Sequence, residues 1–279
     1  MKTRREFIRS LSLLTVSAMA LRAFPISMAP GRMIGLQLWT LRNAIQEHTM
    51  ETLKQVGRIG YDHIEPYGFD GEFYGYPAKA FRKITEDLGM KLTSTHTGIT
   101  LSNADLHIEQ AVEAGLEYLV LPTPGDRKME DPDDVKIFAE EMNRIGEKVQ
   151  KAGMKLGYHN HSFEFQPMDG EIPFDILLRE TIPELVCFQL DIYWMIEGGR
   201  DPVRYFQDHP GRFELWHVKD RGGDGKSTTV GNGTIDYADL FHYSGSAGMK
   251  YFYVEQESYT MAPIEAAAKS YAFIRENLL

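Results

Sequence analysis

Residues 186–218 read VCFQLDIYWMIEGGRDPVRYFQDHPGRFELWHV. The two ends of this stretch decide the fold. Val186 to Leu190 and Phe213 to Val218 are apolar runs of strand length, and Asp201 to Gln207 between them has helical spacing. Two strands joined through a helix form a crossover unit, which implies a parallel pair. Both runs carry a polar residue at or near the end, Asp191 after the first and His217 in the second.

Working outward, the same alternation continues in both directions. Upstream lie the runs Met33 to Leu38, His63-Ile64-Glu65, Leu92 to His96, Tyr118 to Leu121 and Lys155 to His159; downstream lies Tyr251 to Val254. Helical spacing between them predicts helices near residues 50–59, 78–88, 105–114, 133–152, 174–179, 236–243 and 262–277. Gly89, Gly115 and Gly153 stand just past three of these helices, where a left-handed residue ends a helix. Eight strand-helix units without a break in composition predict an α/β fold, a single (β/α)8 TIM barrel over residues 33–279. The longest irregular stretch, Arg221 to Thr234, is rich in glycine and follows the seventh strand. That position predicts a mobile flap at the catalytic mouth.

Residues 1–20 read as a twin-arginine-type signal peptide: Arg4-Arg5, the apolar run Leu11 to Leu21, and a small-x-small cleavage site at Ala18-Met19-Ala20. The apolar run is too short to span a bilayer. Residues 21–32 then form a linker. The expectation is a periplasmic protein, exported folded and free of the membrane after cleavage. A net charge of −10 argues against a nucleic-acid partner, which needs a basic face, and suits a small neutral ligand. Cys187 is the single cysteine, so no intramolecular disulfide forms, and its neighbours Val186 and Phe188 predict a buried core thiol. A homo-oligomer is left open.

The chemistry is marked by what ends the strands. Glu65, His96, His159 with His161, Asp191, His217 with Lys219, and Glu255 all stand at C-terminal strand ends. Barrel enzymes carry their reactive groups there. Asp191, His217 and Glu255 end three neighbouring strands. Two carboxylates and an imidazole converging in one place are costly to desolvate without a cation. A divalent metal resolves that cost, with His159 as fourth ligand. Mixed nitrogen and oxygen donors suit Mn²⁺, Zn²⁺ or Co²⁺ better than Ca²⁺, with Mg²⁺ also open. The competing account is an ion-pair network in which Lys219 stands in place of the metal.

Several segments carry a family resemblance. They are Tyr158-His159-Asn160-His161, Leu190-Asp191, Gly199 to Phe206 with Asp201-Pro202, His217-Val218-Lys219-Asp220, Gly231-Asn232-Gly233 and Val254-Glu255-Gln256. Together they resemble the xylose isomerase-like barrels, a group of sugar phosphate isomerases/epimerases that includes inosose dehydratase and endonuclease IV. The His-Val-Lys-Asp and Val-Glu-Gln segments look most like the inosose dehydratase branch. The resemblance implies a metal held by His159, Asp191, His217 and Glu255. Many epimerases of the group have Glu where His159 stands here, and His where Trp194 stands.

The resemblance also implies proton abstraction beside a carbonyl through an enediolate. Glu255, His161 or Glu164 would move the proton, and Lys219 would donate to the developing oxyanion. Glu65, His96, Trp39 and Trp194 are the expected substrate-binding residues, with Phe163 and Tyr193 as further stacking surfaces. The leading expectation is a metal-dependent sugar isomerase or epimerase. A lyase or hydrolase acting on a 3-keto-glycoside by β-elimination, or a dehydratase, would use the same site. A non-catalytic sugar-binding barrel is the alternative of a different class. Export favours a free sugar or keto-glycoside over a sugar phosphate.

Overall fold

The structure, a computed structural model, describes residues 33–279. The expected leader, residues 1–20, and linker, residues 21–32, lie outside the described residues. Eight strand units form one parallel barrel: β1 (Gly35–Gln37), β2 (His63–Glu65), β3 (Lys91–Leu92 and Ser94–His96), β4 (Tyr118–Leu121), β5 (Lys155–His159), β6 (Val186–Asp191), β7 (Leu215–Val218) and β8 (Tyr251–Val254). Pairing runs from Lys91–Leu92 through β2, β1, β8, β7, β6, β5 and β4 to Ser94–His96. Both ends of that order belong to β3, whose halves are separated by Thr93 alone, so the ring closes on itself. The single (β/α)8 TIM barrel predicted from the alternation is the observed fold.

Helices cover the outside, and the reasons they form are local. Pro132–Lys151 begins at Asp131, whose carboxylate accepts from the backbone N–H of Asp133 and Asp134. Its apolar stripe, Val135, Phe138, Met142, Ile145 and Val149, is buried against the barrel. Two features have no signal in the apolar pattern: a hairpin of Glu72–Phe73 with Tyr76–Pro77, and the helix Ile192–Glu197 directly after β6. No helix of the described residues is long and apolar enough to cross a membrane.

The glycine-rich stretch is anchored rather than free. Asp220–Arg221 pairs antiparallel with Ser227–Thr228. The buried Asp220 carboxylate then accepts from the backbone N–H of Gly231 and Gly233, both at 2.9 Å, and of Ile235 at 3.2 Å. A Cβ at Gly233 would lie 2.1 Å from that carboxylate, so only glycine lets the chain wrap this closely. The flap expected here is a loop built around one charge.

Inside the barrel, Tyr118, Val120, Cys187, Leu215 and Tyr253 pack into a layer of their own. Cys187 is buried, and burial pushes its thiol up to about 12. Gly35 lies beside this layer. A Cβ there would sit 2.5 Å from the His63 ring and 2.6 Å from Tyr253. Gly35→Ala should therefore cost about 1–3 kcal/mol through overpacking. In calorimetry that corresponds to a Tm lower by about 3–10 °C; an unchanged Tm would mean that the lumen has room to spare.

Candidate functional site

The site lies where β6, β7 and β8 end. Parallel pairing sets Asp191 level with His217, and His217 level with Tyr253, two residues before Glu255. Asp191, His217 and Glu255 each offer one ligand-type atom, and these atoms lie within 4.8 Å of one another. His217 Nδ1 is 2.8 Å from Glu255 Oε2 and 3.8 Å from Asp191 Oδ2. His159, ending β5, brings its Nε2 to 4.0 Å from Asp191 Oδ2. His96, His159 and His217 form a second group within the same limit, so His217 is common to both.

Asp191 is fixed on three sides. The Asn160 side chain accepts from its backbone N–H at 3.0 Å and donates to its carbonyl at 3.1 Å. Asp191 Oδ1 accepts from Trp194 N at 2.9 Å and so caps the helix Ile192–Glu197. Oδ2 alone is left for the centre. Lys219 Nζ lies 2.9 Å from it, but the atom has no aligned hydrogen bond.

Two buried cations hold the cluster together. Lys219 is fully buried and contacts Asp191 Oδ2, Glu255 Oε2 at 3.1 Å and Glu257 Oε1 at 2.6 Å. Burial opposes its charge, yet the three carboxylates hold its pKa above the ordinary lysine range. His217 Nε2 lies 2.6 Å from Glu65 Oε2. Burial would keep His217 neutral, but Glu255 and Glu65 override it and lift its pKa to about 10. Burial also works against ionised Glu255, and Lys219 and His217 outweigh it. Asp191 sits farther from His217, and there burial wins and raises the carboxyl, with Lys219 pulling back.

Glu65 carries a further shell of donors. Its Oε1 accepts from Ser94 Oγ and from Gln189 Nε2 at 2.7 Å; its Oε2 accepts from Gln37 Nε2 at 2.7 Å as well as facing His217. Gln189 Oε1 in turn lies 2.7 Å from His96 Nε2. The residues present fit a divalent cation. Asp191, His217 and Glu255 form one group of two carboxylates and an imidazole, and His159, expected as fourth ligand, groups instead with His96 and His217, while Lys219 Nζ lies against both carboxylates as the competing ion-pair account expects. The Glu65 carboxylate stands where an outer carboxylate orients a ligating histidine through its other nitrogen.

An ion at this place competes with the His217 proton. In the metal-free protein, a His217 pKa raised from 6.5 to about 10 adds stability that is complete below about pH 6.5. That stability is lost as the pH rises through 10. Chelated protein should therefore melt at progressively lower temperature between pH 7 and pH 10, and Mn²⁺-loaded protein should hold its Tm over that window. Parallel calorimetric curves with and without chelator would show that ion and proton do not compete for His217.

Above this floor is a cleft of about 430 Å³. Trp39 and Tyr67 line one side, His161 and Trp194 another, and His159 and Glu255 lie at its base. His96, expected to bind substrate, also lines it. Three expected residues do not. Glu65 is fully buried among its four donors. Lys219 is fully buried behind the carboxylates. Glu164 turns inward on the short turn Phe163–Phe165, where it accepts from Tyr158 Oη at 2.8 Å and His161 N at 2.9 Å. Burial pushes its carboxyl up to about 7, and its role in the structure is to hold the His161 loop. Tyr193 likewise faces away from stacking and donates its hydroxyl to Gly225 O, tying down the glycine-rich loop.

Gln37, Ser94, Asn160 and Gln189 belong to the site and drew no expectation from the sequence. Gln37 and Gln189 stand out in the sequence only as polar residues inside apolar runs, Leu36-Gln37-Leu38 and Phe188-Gln189-Leu190, and Ser94 and Asn160 do not stand out at all.

Residues 53–277 match the family model described as the xylose isomerase-like TIM barrel. This chain belongs to that family. An inosose dehydratase from Geobacillus thermodenitrificans is 27% identical over 219 residues, which cover 66% of this chain and 73% of that protein. An inosose dehydratase from Clostridium beijerinckii is 25% identical over 162 residues, so the chain spans about half of that relative, 54% of its length. A sugar phosphate isomerase/epimerase from Parabacteroides distasonis has a solved structure that is 28% identical, with a TM-score of 0.78 over 90% of this chain and 96% of its own. Relatives of this chain thus carry both dehydratase and isomerase/epimerase names.

Proposed function

We propose that this barrel is a metal-dependent lyase that removes a proton beside the carbonyl of an oxidised, uncharged sugar and expels the β-substituent. The observation that carries this reading is the state of His161. Among the imidazoles that line the cleft, it is the one outside both ligand-type groups, and its Nδ1 is buried without a partner. Burial, with Lys219 second, lowers its pKa to about 4, so it is a neutral imidazole at pH 7.

A divalent ion on His159, Asp191, His217 and Glu255 would polarise the substrate carbonyl and stabilise the enediolate. Mn²⁺, Zn²⁺ or Co²⁺ suits that donor set. His161 takes the α-proton, the electron pair forms the C=C bond, the C–O bond to the β-substituent breaks, and the leaving oxygen is protonated by His161. Trp194 holds the ring against the cleft wall beside His161. Inversion at a carbon needs carriers on both faces of the sugar. A single unpartnered carrier suits elimination better than epimerisation, and the relatives named as dehydratases support the same outcome.

The test is incubation of the Mn²⁺-loaded protein in D₂O with ketoses and 3-keto-glycosides, followed by NMR. The expected result is an unsaturated ketone with release of the β-substituent. Deuterium at an inverted carbon without elimination would replace the lyase with an epimerase. Absence of exchange beside every carbonyl would leave a non-catalytic sugar-binding barrel.

A further inference from the structure

The cleft is larger than one sugar ring, and among the described residues neither lysine nor arginine lines it. A single pyranose with its hydroxyls fills on the order of 200 Å³ at the packing density of protein interiors. The cleft holds about 430 Å³. Its base is polar, with His159 and Glu255; its outer part is aromatic, with Trp39 and Tyr67. Trp39 is 41% exposed, one of the few large apolar side chains of the described residues so open to solvent. It is held in place all the same. Its backbone N–H donates to Gln37 Oε1 at 3.0 Å, its ring meets Tyr67 edge-on at 4.9 Å, and the Arg42 guanidinium lies 5.4 Å from its centroid. A rigid aromatic left exposed beside a polar pocket is a surface for an apolar face of ligand. Across the cleft, Trp194 Nε1 is a buried donor with no partner.

The charge pattern points the same way. Among the described residues, those lining the cleft include Glu255 and Glu257 and neither lysine nor arginine. Lys219 is sealed behind three carboxylates, and Arg42 donates to Glu257 O from outside. The helix start at Ile192 is already capped by Asp191, and that of the turn Leu38–Leu41 by Gln37. In the outer part of the cleft a phosphate dianion would meet the Glu257 carboxylate with neither lysine nor arginine in the lining to offset it.

We infer that the site has two subsites, an inner one for the oxidised ring over the His159–Glu255 floor and an outer one at Trp39 and Tyr67 for an uncharged second ring, so that the substrate class is a neutral two-ring glycoside rather than a sugar phosphate. This rests on the proposed sugar chemistry, but its test does not require turnover. Full-length Mn²⁺-loaded protein is titrated calorimetrically with glucose, glucose 6-phosphate, a neutral disaccharide and an aryl β-glucoside. One or both two-ring ligands should bind about tenfold tighter than glucose, and the phosphate no tighter than glucose. Trp39→Ala should abolish the two-ring advantage, with metal content measured in parallel to show that the barrel is folded. Equal affinity for one-ring and two-ring ligands, tighter binding of the phosphate, a two-ring advantage that survives Trp39→Ala, or no heat with any ligand would each overturn the inference. A retained two-ring preference without any proton exchange in D₂O would instead remove the lyase and keep the subsites.

Discussion

Asp191→Asn protein should emerge from purification with less than about a tenth of the wild-type metal content, and its proton exchange should fall by about a thousandfold or more. The substitution is nearly isosteric. An asparagine oxygen can still accept from Trp194 N, so the cap of Ile192–Glu197 survives, and Asn160 still grips the backbone on both sides. What changes is Oδ2. In its place an amide N–H₂ would face Lys219 Nζ, 2.9 Å away, donor against cation. The floor would lose one negative charge while Lys219 and His217 keep theirs. Metal analysis by mass spectrometry and exchange in D₂O read the two effects separately. Full metal occupancy with full activity would remove Asp191 from the ligand set, and wild-type protein purified without metal would leave Lys219 as the cation of this site.

Glu65→Gln should have the second large effect, on both stability and metal binding. Each Glu65 oxygen receives two donors: Ser94 Oγ and Gln189 Nε2 on Oε1, Gln37 Nε2 and His217 Nε2 on Oε2. Whichever way a glutamine is turned, its N–H₂ faces two groups that also donate. Removing one partner of a buried ion pair costs about 3–5 kcal/mol, which corresponds to a Tm lower by about 6–20 °C. His217 also loses the carboxylate that orients it, and metal affinity should drop about 10–100-fold. A thermal melt and a metal titration of the same sample check both. A Tm within about 2 °C of wild type would mean that the lumen network reorganises around the amide without cost.

The barrel was legible in the sequence because its alternation is carried by apolar side chains, whose burial depends on period alone. The convergence of Asp191, His217 and Glu255 was legible for a related reason: each follows an apolar run of known direction, and parallel strands bring their ends together. What pattern reading missed depends on which way one side chain turns. Glu65 and Glu255 both end strands, yet Glu65 points into the lumen under His217 while Glu255 reaches the cleft. Glu164 lies three residues past His161 and looked free to carry a proton, but a single short turn sends it to Tyr158 instead. Gln37 and Gln189 sit where core residues belong, and nothing in a linear pattern separates a lumen hydrogen bond from a mismatch. The helix Ile192–Glu197 is six residues long, too short for a period to declare itself, and depends on the Asp191 cap.

The lone cysteine in the barrel interior has a practical consequence. With its thiol pushed up to about 12 and its side chain sealed among Tyr118, Leu215 and Tyr253, Cys187 has almost no thiolate at neutral pH and no path to a reagent. Maleimide probes should pass over the native chain. Thr123 lies exposed at the cleft rim, so Thr123→Cys would give one labelled position with every native residue of the floor untouched. A fluorophore there would report ligand entry in real time, on a protein that needs no cysteine-free background.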